Sequence, residues 1–557
     1  SCSESLSCMA IPTEFLLPQD EDCVAEKCRS VLACGNNSVF LQDITEKGSK
    51  QKISSIMRMK KNRLMCVALC CCCSVAGMQG ALPLTKKIGE LPSTVGAPKI
   101  PVVLVQFQDV AFSEAAPAAA YASRLDGEAT REQIELGEGT AAQYFADQSY
   151  GKFTPEFVVL GPVTLDHERA YYGADGVAGR DARMAEMMAE AVGKLDACGA
   201  VKDWNVFDSN LDGVADALYV LYAGEGQHAI PTQTDLIWPH TSSMDDQGYE
   251  RPEAGGVVFN AYSCTNEMLY GKLDGIGTFC HEFAHQLGLP DFYRTDGQTA
   301  AEFAMGDWSL MDRGGYPMDG RRPVGMRALE RIAMGWTEPV VLTEATTVEE
   351  WPSLAQGGKP LKIVNDADAK EYYLLETIDG RGWDMSCPAT GLLVTHVNLS
   401  AEDPMAAAEW RNNEVNNVAN RRVTIVPADG EKPLLVTGVN DEEYEGNLKG
   451  DTYPSPEGNN ELSDTSVPNF GAYIGWGTLG KSVTDITYDE ASGRVSFDFN
   501  GGSEENVWTA VHRPDVAVQE GPVRYFRLDG SRAEEPLRPG LYVKVTADGR
   551  TEKFLQR

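Results

Sequence analysis

Four side chains in the stretch TFCHEFAHQLGLPDFY, Thr278–Tyr293, can do chemistry together. His281 and His285 stand four residues apart, Glu282 follows the first of them, and Asp291 lies six residues beyond the second. On a helix, positions four apart share a face, one turn above the other, so both imidazoles can aim a nitrogen at one ion. Glu282 is displaced by about 100° of helical rotation and can reach a water at that ion without being a ligand. This is the mechanical content of H-E-x-x-H: two zinc ligands and a general base. Hydrolysis also needs a third ligand and an open fourth position. Gly288 lets the chain leave the helix in a sharp turn, with φ > 0 available, and that turn can bring Asp291 back to the ion. Asp291 is therefore the expected third ligand. A glutamate from a downstream helix is the rival assignment, with Glu302 and Glu330 as the residues available.

Further residues could serve such a site. In GDWSLMDRGGY (306–316), Met311 lies twenty residues past Asp291 among polar and glycine-rich neighbours. It is expected in a tight turn beneath the metal, the alternative being core filling. Tyr316 could steady an oxyanion, or simply pack. The loop DSNLDGVAD sets Asp208, Asn210, Asp212 and Asp216 at near-alternating positions, with Gly213 at the turn. Hard oxygen ligands at this spacing suit calcium, although Tyr219 stands where an EF-hand would need its glutamate. The alternative for this loop is a solvated acidic turn. His240 and His396 are assigned no ligand role, because a lone histidine beside a strand is more often structural.

The elements that must position these residues are legible as periodicities. Ile276, Phe279, Cys280, Phe283, Ala284 and Leu287 recur with helical spacing, predicting a helix over 275–288 that stops at Gly288. KIPVVLVQFQD (99–109) and DALYVLYAGEG (216–226) read as buried strands. Met184, Met187, Met188, Ala191, Val192 and Leu195 predict an amphipathic helix of roughly five turns. Another helix is expected over 323–336, opened by Pro323. After Trp336 the helical period fades. EYYLLETI (371–378), GLLVTHVN (391–398), RVTIVPA (422–428) and RVSFDFN (494–500) predict strands separated by turn formers.

The chain has 557 residues and a formal net charge of -34, with 43% hydrophobic residues. The length suggests two to four domains, and the charge argues against nucleic acid or an anionic membrane as partner. MRMKKNRLMCVALCCCCSVAGMQG, from Met57, has a basic start, a short apolar run and small residues at Ser74 and Ala76. It predicts a secretory signal peptide over 57–76 and no transmembrane segment in the mature chain. Residues 1–56 are then expected to be upstream sequence outside the native protein. Lipoprotein anchoring ranks second, because Leu69 precedes Cys70 where a small residue would be expected. Residues 77–98 read as a linker or short propeptide, 99–338 as the catalytic domain, 339–500 as a β-rich domain and 501–557 as a β tail. Past the leader the chain has four cysteines, Cys198, Cys264, Cys280 and Cys387, whose pairing sequence cannot choose.

Taken in order, YFADQSYGKF (144–153), FDSNLDGVADALYVLYAGEG (207–226), IWPHTS (237–242), FCHEFAHQLGLPDFY, WSLMDRGG, ERIAMGW (330–336), YYLLETIDGRGWD and GLLVTHVN resemble the immune inhibitor A family of secreted bacterial metallopeptidases. The resemblance covers roughly 100 to 400 and is most specific around the histidines. It implies an α+β chain: a metzincin-like catalytic domain, with a twisted mixed sheet and an active-site helix, followed by a mainly β region. It also implies endopeptidase activity on protein or peptide substrates, one catalytic zinc and bound calcium, with secretion or display at the cell surface. By motif, His281, His285 and Asp291 would be ligands, Glu282 the base and Met311 the Met-turn residue. Hydrolysis of non-peptide amides, or a noncatalytic surface protein with a structural metal, are the alternatives; the intact Glu282 argues against the latter. No cysteine lies between Ser74 and Ala197, so no thiol from that segment can cover the metal.

Overall fold

The computed structural model describes residues 92–509 apart from 130–132, 134–137, 177–179, 297–303, 432–440 and 473–476, together with 524–527, 532–533, 540–545 and 551–556. The leader, the signal-peptide reading, residues 77–91 of the linker and Glu302 lie outside the described residues.

The apolar runs read as strands are strands. β1 (Lys99–Gln106), β2 (Glu156–Thr164), β3 (Leu218–Glu225), β4 (His240–Ser243) and β5 (Ala261–Leu269) form one sheet in the order β2-β1-β3-β5-β4, with Lys272–Leu273 hairpinned onto β5. β1, β2, β3 and β5 run parallel, and β4 is an antiparallel edge. A mostly parallel sheet is covered on both faces, so its strands carry continuous apolar runs. β1 illustrates this. Ile100, Val102 and Leu104 pack into a core with Phe279 and Phe283, while Val103 and Val105 face a second core with Met187, Met188 and Val192.

The longer helices on these faces are α1 (Pro117–Asp126), α2 (Ala141–Gln148), α3 (Met184–Ala197) and α4 (Gly277–Gln286). α4 carries the histidines. It is anchored by Phe283, whose ring centroid lies 5.1 Å from those of Phe145 and Phe157. Burying such a ring contributes a few kcal/mol. Its first residue, Gly277, must be glycine: a Cβ there would sit 1.8 Å from the carbonyl oxygen of Gly315. The helix start is thus pressed directly against the turn that bears Met311.

The helix expected over 323–336 is shorter, α5 (Ala328–Ala333). Tertiary hydrogen bonds take the backbone that a longer helix would need. Val324 N–H donates to Gly314, Met326 N–H donates to the Gln148 side chain, and the Val324 carbonyl accepts from the Tyr144 hydroxyl.

Downstream, β6 (Leu361–Val364), β7 (Glu371–Ile378), β8 (Gly391–Asn398) and β9 (Val423–Ile425) pair antiparallel in sequence order. This sheet also has two buried faces. Tyr372, Leu374 and Ile378 join the core that holds Phe279 and Phe283, whereas Tyr373 and Leu375 meet Trp351, Val495 and Phe497. One apolar core therefore runs continuously from the α4 region into the β-rich region. Two short helices follow β8, α6 (Ala408–Arg411) and α7 (Asp441–Lys449). The sequence DEEYEGNLK of α7 has too few apolar residues to give a period. Residues 524–556 contribute four antiparallel strands. Cys198, Cys264, Cys280 and Cys387 are free thiols. No helix among the described residues is long and apolar enough to cross a membrane.

Candidate metal centre

α4 ends where the spacing predicts, and Gly288 follows its C-cap with φ 103°. This left-handed residue turns the chain so that Leu289 N–H caps Ala284 and the Leu289 carbonyl points back at the helix. Each histidine of the motif is then oriented by a main-chain carbonyl. His281 Nδ1 lies 2.8 Å from Leu310 O, and His285 Nδ1 lies 2.8 Å from Leu289 O. A carbonyl only accepts, so each Nδ1 carries hydrogen and each Nε2 is turned inward.

The inward atoms converge. The two Nε2 atoms are 3.2 Å apart, and Asp291 Oδ1 lies 3.2 Å from His281 Nε2 and 3.3 Å from His285 Nε2. Two nitrogens and an oxygen held tetrahedrally at the usual zinc distances would be about 3.3 Å apart, so this triangle fits the ion. Among the described residues it is the one group of three or more histidine, cysteine or acidic side chains gathered this closely. The electrostatics also call for a cation. Burial would raise the Asp291 carboxyl, but His285 and His281 hold it well below the usual carboxylate range. Burial would lower the His281 imidazole, yet Asp291 and Glu282 push it up to about 9. Access is from the His281 side, which keeps 13% side-chain exposure while Asp291 has none.

Glu282 sits next to this triangle, buried, with Oε2 accepting from Thr241 Oγ1 at 2.9 Å. Thr241 comes from the edge strand β4, so the sheet edge orients the carboxylate. Burial raises the Glu282 carboxyl, partly offset by His285 and His281. Beneath the helix, the turn around Met311 touches both parts of the motif. Leu310 O holds His281, and Met311 O accepts from Phe292 N–H at 2.8 Å. Met311 itself is fully buried. Glu330 is occupied elsewhere: its carboxylate accepts from Ser309 Oγ at 2.7 Å and from the Arg327 and Met311 N–H groups. It braces the turn and is absent from the converging triangle.

Tyr316 is 37% exposed, with its ring 6.4 Å from that of His228. A different tyrosine, Tyr293, bonds to Asp291 through its hydroxyl, which burial and the Asp291 charge push upward. The acidic loop is not drawn to a point. Asp208 accepts from Asp212 and Gly213 N–H, Asp212 from Val214 N–H, and Asp216 from Ser209 N–H. His240 and His396 bond to Tyr262 and Glu371, away from the triangle. The sequence reading did not single out Thr241, Tyr293 or Asn413, whose amide contacts Asp291. For Asn413 the available signal was the asparagine-rich run RNNEVNNVAN.

Residues 98–329 match the family model for the immune inhibitor A peptidase M6 catalytic domain. This part of the chain is immune inhibitor A-like. Immune inhibitor A of Bacillus thuringiensis subsp. alesti is 26% identical over 274 residues, 43% of this chain and 39% of that protein. The pre-pro-metalloprotease PrtV of Vibrio cholerae serotype O1 (strain M66-2) is 26% identical over 192 residues, 31% of this chain and 21% of that protein. The chain thus spans well under half the length of these relatives. The matched stretch contains the whole of α4 and Asp291, together with β4 and the Met311 turn.

Proposed function

We propose that this protein is a secreted zinc metalloendopeptidase of metzincin-like design, hydrolysing peptide bonds in protein or peptide substrates. The observation that carries this is the triangle of His281 Nε2, His285 Nε2 and Asp291 Oδ1, with edges of 3.2–3.3 Å, beside a buried glutamate. When bound, zinc supplies Lewis acidity that brings a water's pKa toward neutrality and polarises a carbonyl. Glu282 accepts the water proton and passes it to the leaving amine. Its raised pKa suits that exchange, and the Thr241 hydroxyl holds one carboxylate oxygen so that the proton moves at the other. Met311 forms the floor beneath the ligands. Tyr316 is the proposed aid to the oxyanion, supported by its exposure, and Tyr293 is a neutral donor beside Asp291. No covalent intermediate is required.

The signal-peptide reading of 57–76, the domain limits and secretion belong to the same proposal. So does calcium at Asp208, Asn210, Asp212 and Asp216, supported by the carboxylate and amide oxygens these side chains carry and by the family resemblance. Adding calcium to chelated protein should raise its melting temperature, and Asp212→Asn should remove the rise. The decisive experiment for the activity is incubation with a peptide library, with and without chelator. Cleavage that disappears with chelator and returns with zinc supports the reading. Zinc uptake with cleavage only of non-peptide amides would move the substrate class, and zinc uptake with no hydrolysis would make the metal structural.

A further inference from the structure

The loop carrying Asp291 is held from outside the matched stretch. Asn413 follows α6 in the β-rich region and uses both ends of its amide on this one residue. Its Nδ2 donates to Asp291 Oδ2 at 2.7 Å, and its Oδ1 accepts from Asp291 N–H at 2.6 Å. The other carboxylate oxygen, Oδ1, is the one that faces both imidazoles. The same segment grips the loop on either side. Trp410 Nε1–H donates to Gly288 O at 2.9 Å, and Asn416 Nδ2 donates to Phe292 O at 2.7 Å. Asn413 is buried and has φ 56°, a left-handed conformation that asparagine tolerates better than most residues. A short amide is also the side chain that offers a donor and an acceptor together at this reach. Aspartate lacks the donor, and glutamine is one methylene too long.

We propose that Asn413 is a positioning residue for the metal site. By fixing Asp291 Oδ2 it aims Oδ1 at the ion, so the β-rich region completes a centre whose ligands all lie in the immune inhibitor A-like domain. This rests on the reading of His281, His285 and Asp291 as zinc ligands. Hydrogen-bond partners of ligand carboxylates commonly set metal affinity by roughly 10–100-fold.

The test is zinc affinity of the full chain, by competition with a chromophoric chelator, for wild type, Asn413→Gly and Asn413→Asp. Glycine accepts the left-handed backbone and deletes the amide. Aspartate keeps size and backbone tolerance but sets a carboxylate against Asp291. The expected loss is roughly 10–100-fold for Asn413→Gly and more for Asn413→Asp. A purely architectural role gives the reverse order, because aspartate is closer in shape. Equal affinity in both variants, or a milder effect of Asn413→Asp, overturns the proposal. If Asn413→Gly does not fold, Asn413→Asp is read against wild type by the same criterion. Wild-type protein that takes up no zinc overturns the metal-site reading and this proposal with it. Wild type that binds zinc beside unaffected variants overturns this proposal alone.

Discussion

Two regions of this chain carry metal-like spacing, and they fold with opposite outcomes. On α4 and the turn after it, His281, His285 and Asp291 send three ligand atoms to one point. In the 208–216 loop, Asp208, Asp212 and Asp216 spend carboxylate oxygens on their own backbone N–H groups. The difference lies in what satisfies the backbone. A helix bonds its own main chain internally, so its side chains are left to converge elsewhere. A tight loop has unpaired N–H groups, and short acidic side chains satisfy them first. Spacing therefore specifies a metal site on a helix more strongly than in a turn.

Four measurements break or sharpen this contrast. The largest effect is expected from Glu282→Gln. Peptide hydrolysis should fall by about 10²–10⁴-fold while zinc stoichiometry is unchanged; retained turnover removes Glu282 from the mechanism. Next, Asp291→Ala should weaken zinc binding by more than about 100-fold. Glu330→Gln should keep zinc and lose stability instead, because it unbraces the Met311 turn. If the two results are exchanged, the third ligand has been misassigned.

Histidine divides along the same line, and pH reads it. His228 and His240 are drawn by burial down to about 4 from an ordinary 6.5. A lowered folded-state pKa means the unfolded chain binds the proton more readily. Stability from these two is therefore present above about pH 6.5 and lost as pH falls through about 4, by roughly 3 kcal/mol each at full extent. Chemical denaturation across that window should give a flatter slope for His240→Gln than for wild type, and parallel slopes would contradict the assignment. The smallest effect is expected in the loop. Asp208→Ala should cost about 0.5–1.5 kcal/mol, because Gly213 N–H loses its side-chain acceptor and Asp212 N–H keeps only Asn210 Oδ1. The loss should persist in chelator if the carboxylate serves the backbone, and shrink there if it serves calcium.

Local rules carried α4 well. Phe279, Phe283 and Leu287 mark its buried stripe and Gly288 its stop, because a helix face and a left-handed cap depend on neighbours three or four residues away. They did less well at 323–336. There Gln148 and Tyr144, distant in sequence, and Gly314, ten residues before Val324, claim the backbone groups that would have extended α5. The strands at 371–378 and 391–398 were legible as apolar runs. That one run serves two cores, with Tyr372 on one and Tyr373 on the other, was not, because alternation disappears when both faces are buried.

The sequence by itself determined the spacing of the motif: two imidazoles one turn apart, a carboxylate between them and a glycine that turns the chain toward Asp291. Those are short-range facts of covalent spacing and helix geometry. Tertiary structure alone decided which oxygen holds Glu282, which carbonyl fixes each imidazole, and that Asn413 clamps Asp291. Hydrogen-bond partners separated by many residues leave no period in the sequence; they meet only when packing a shared core brings their segments together.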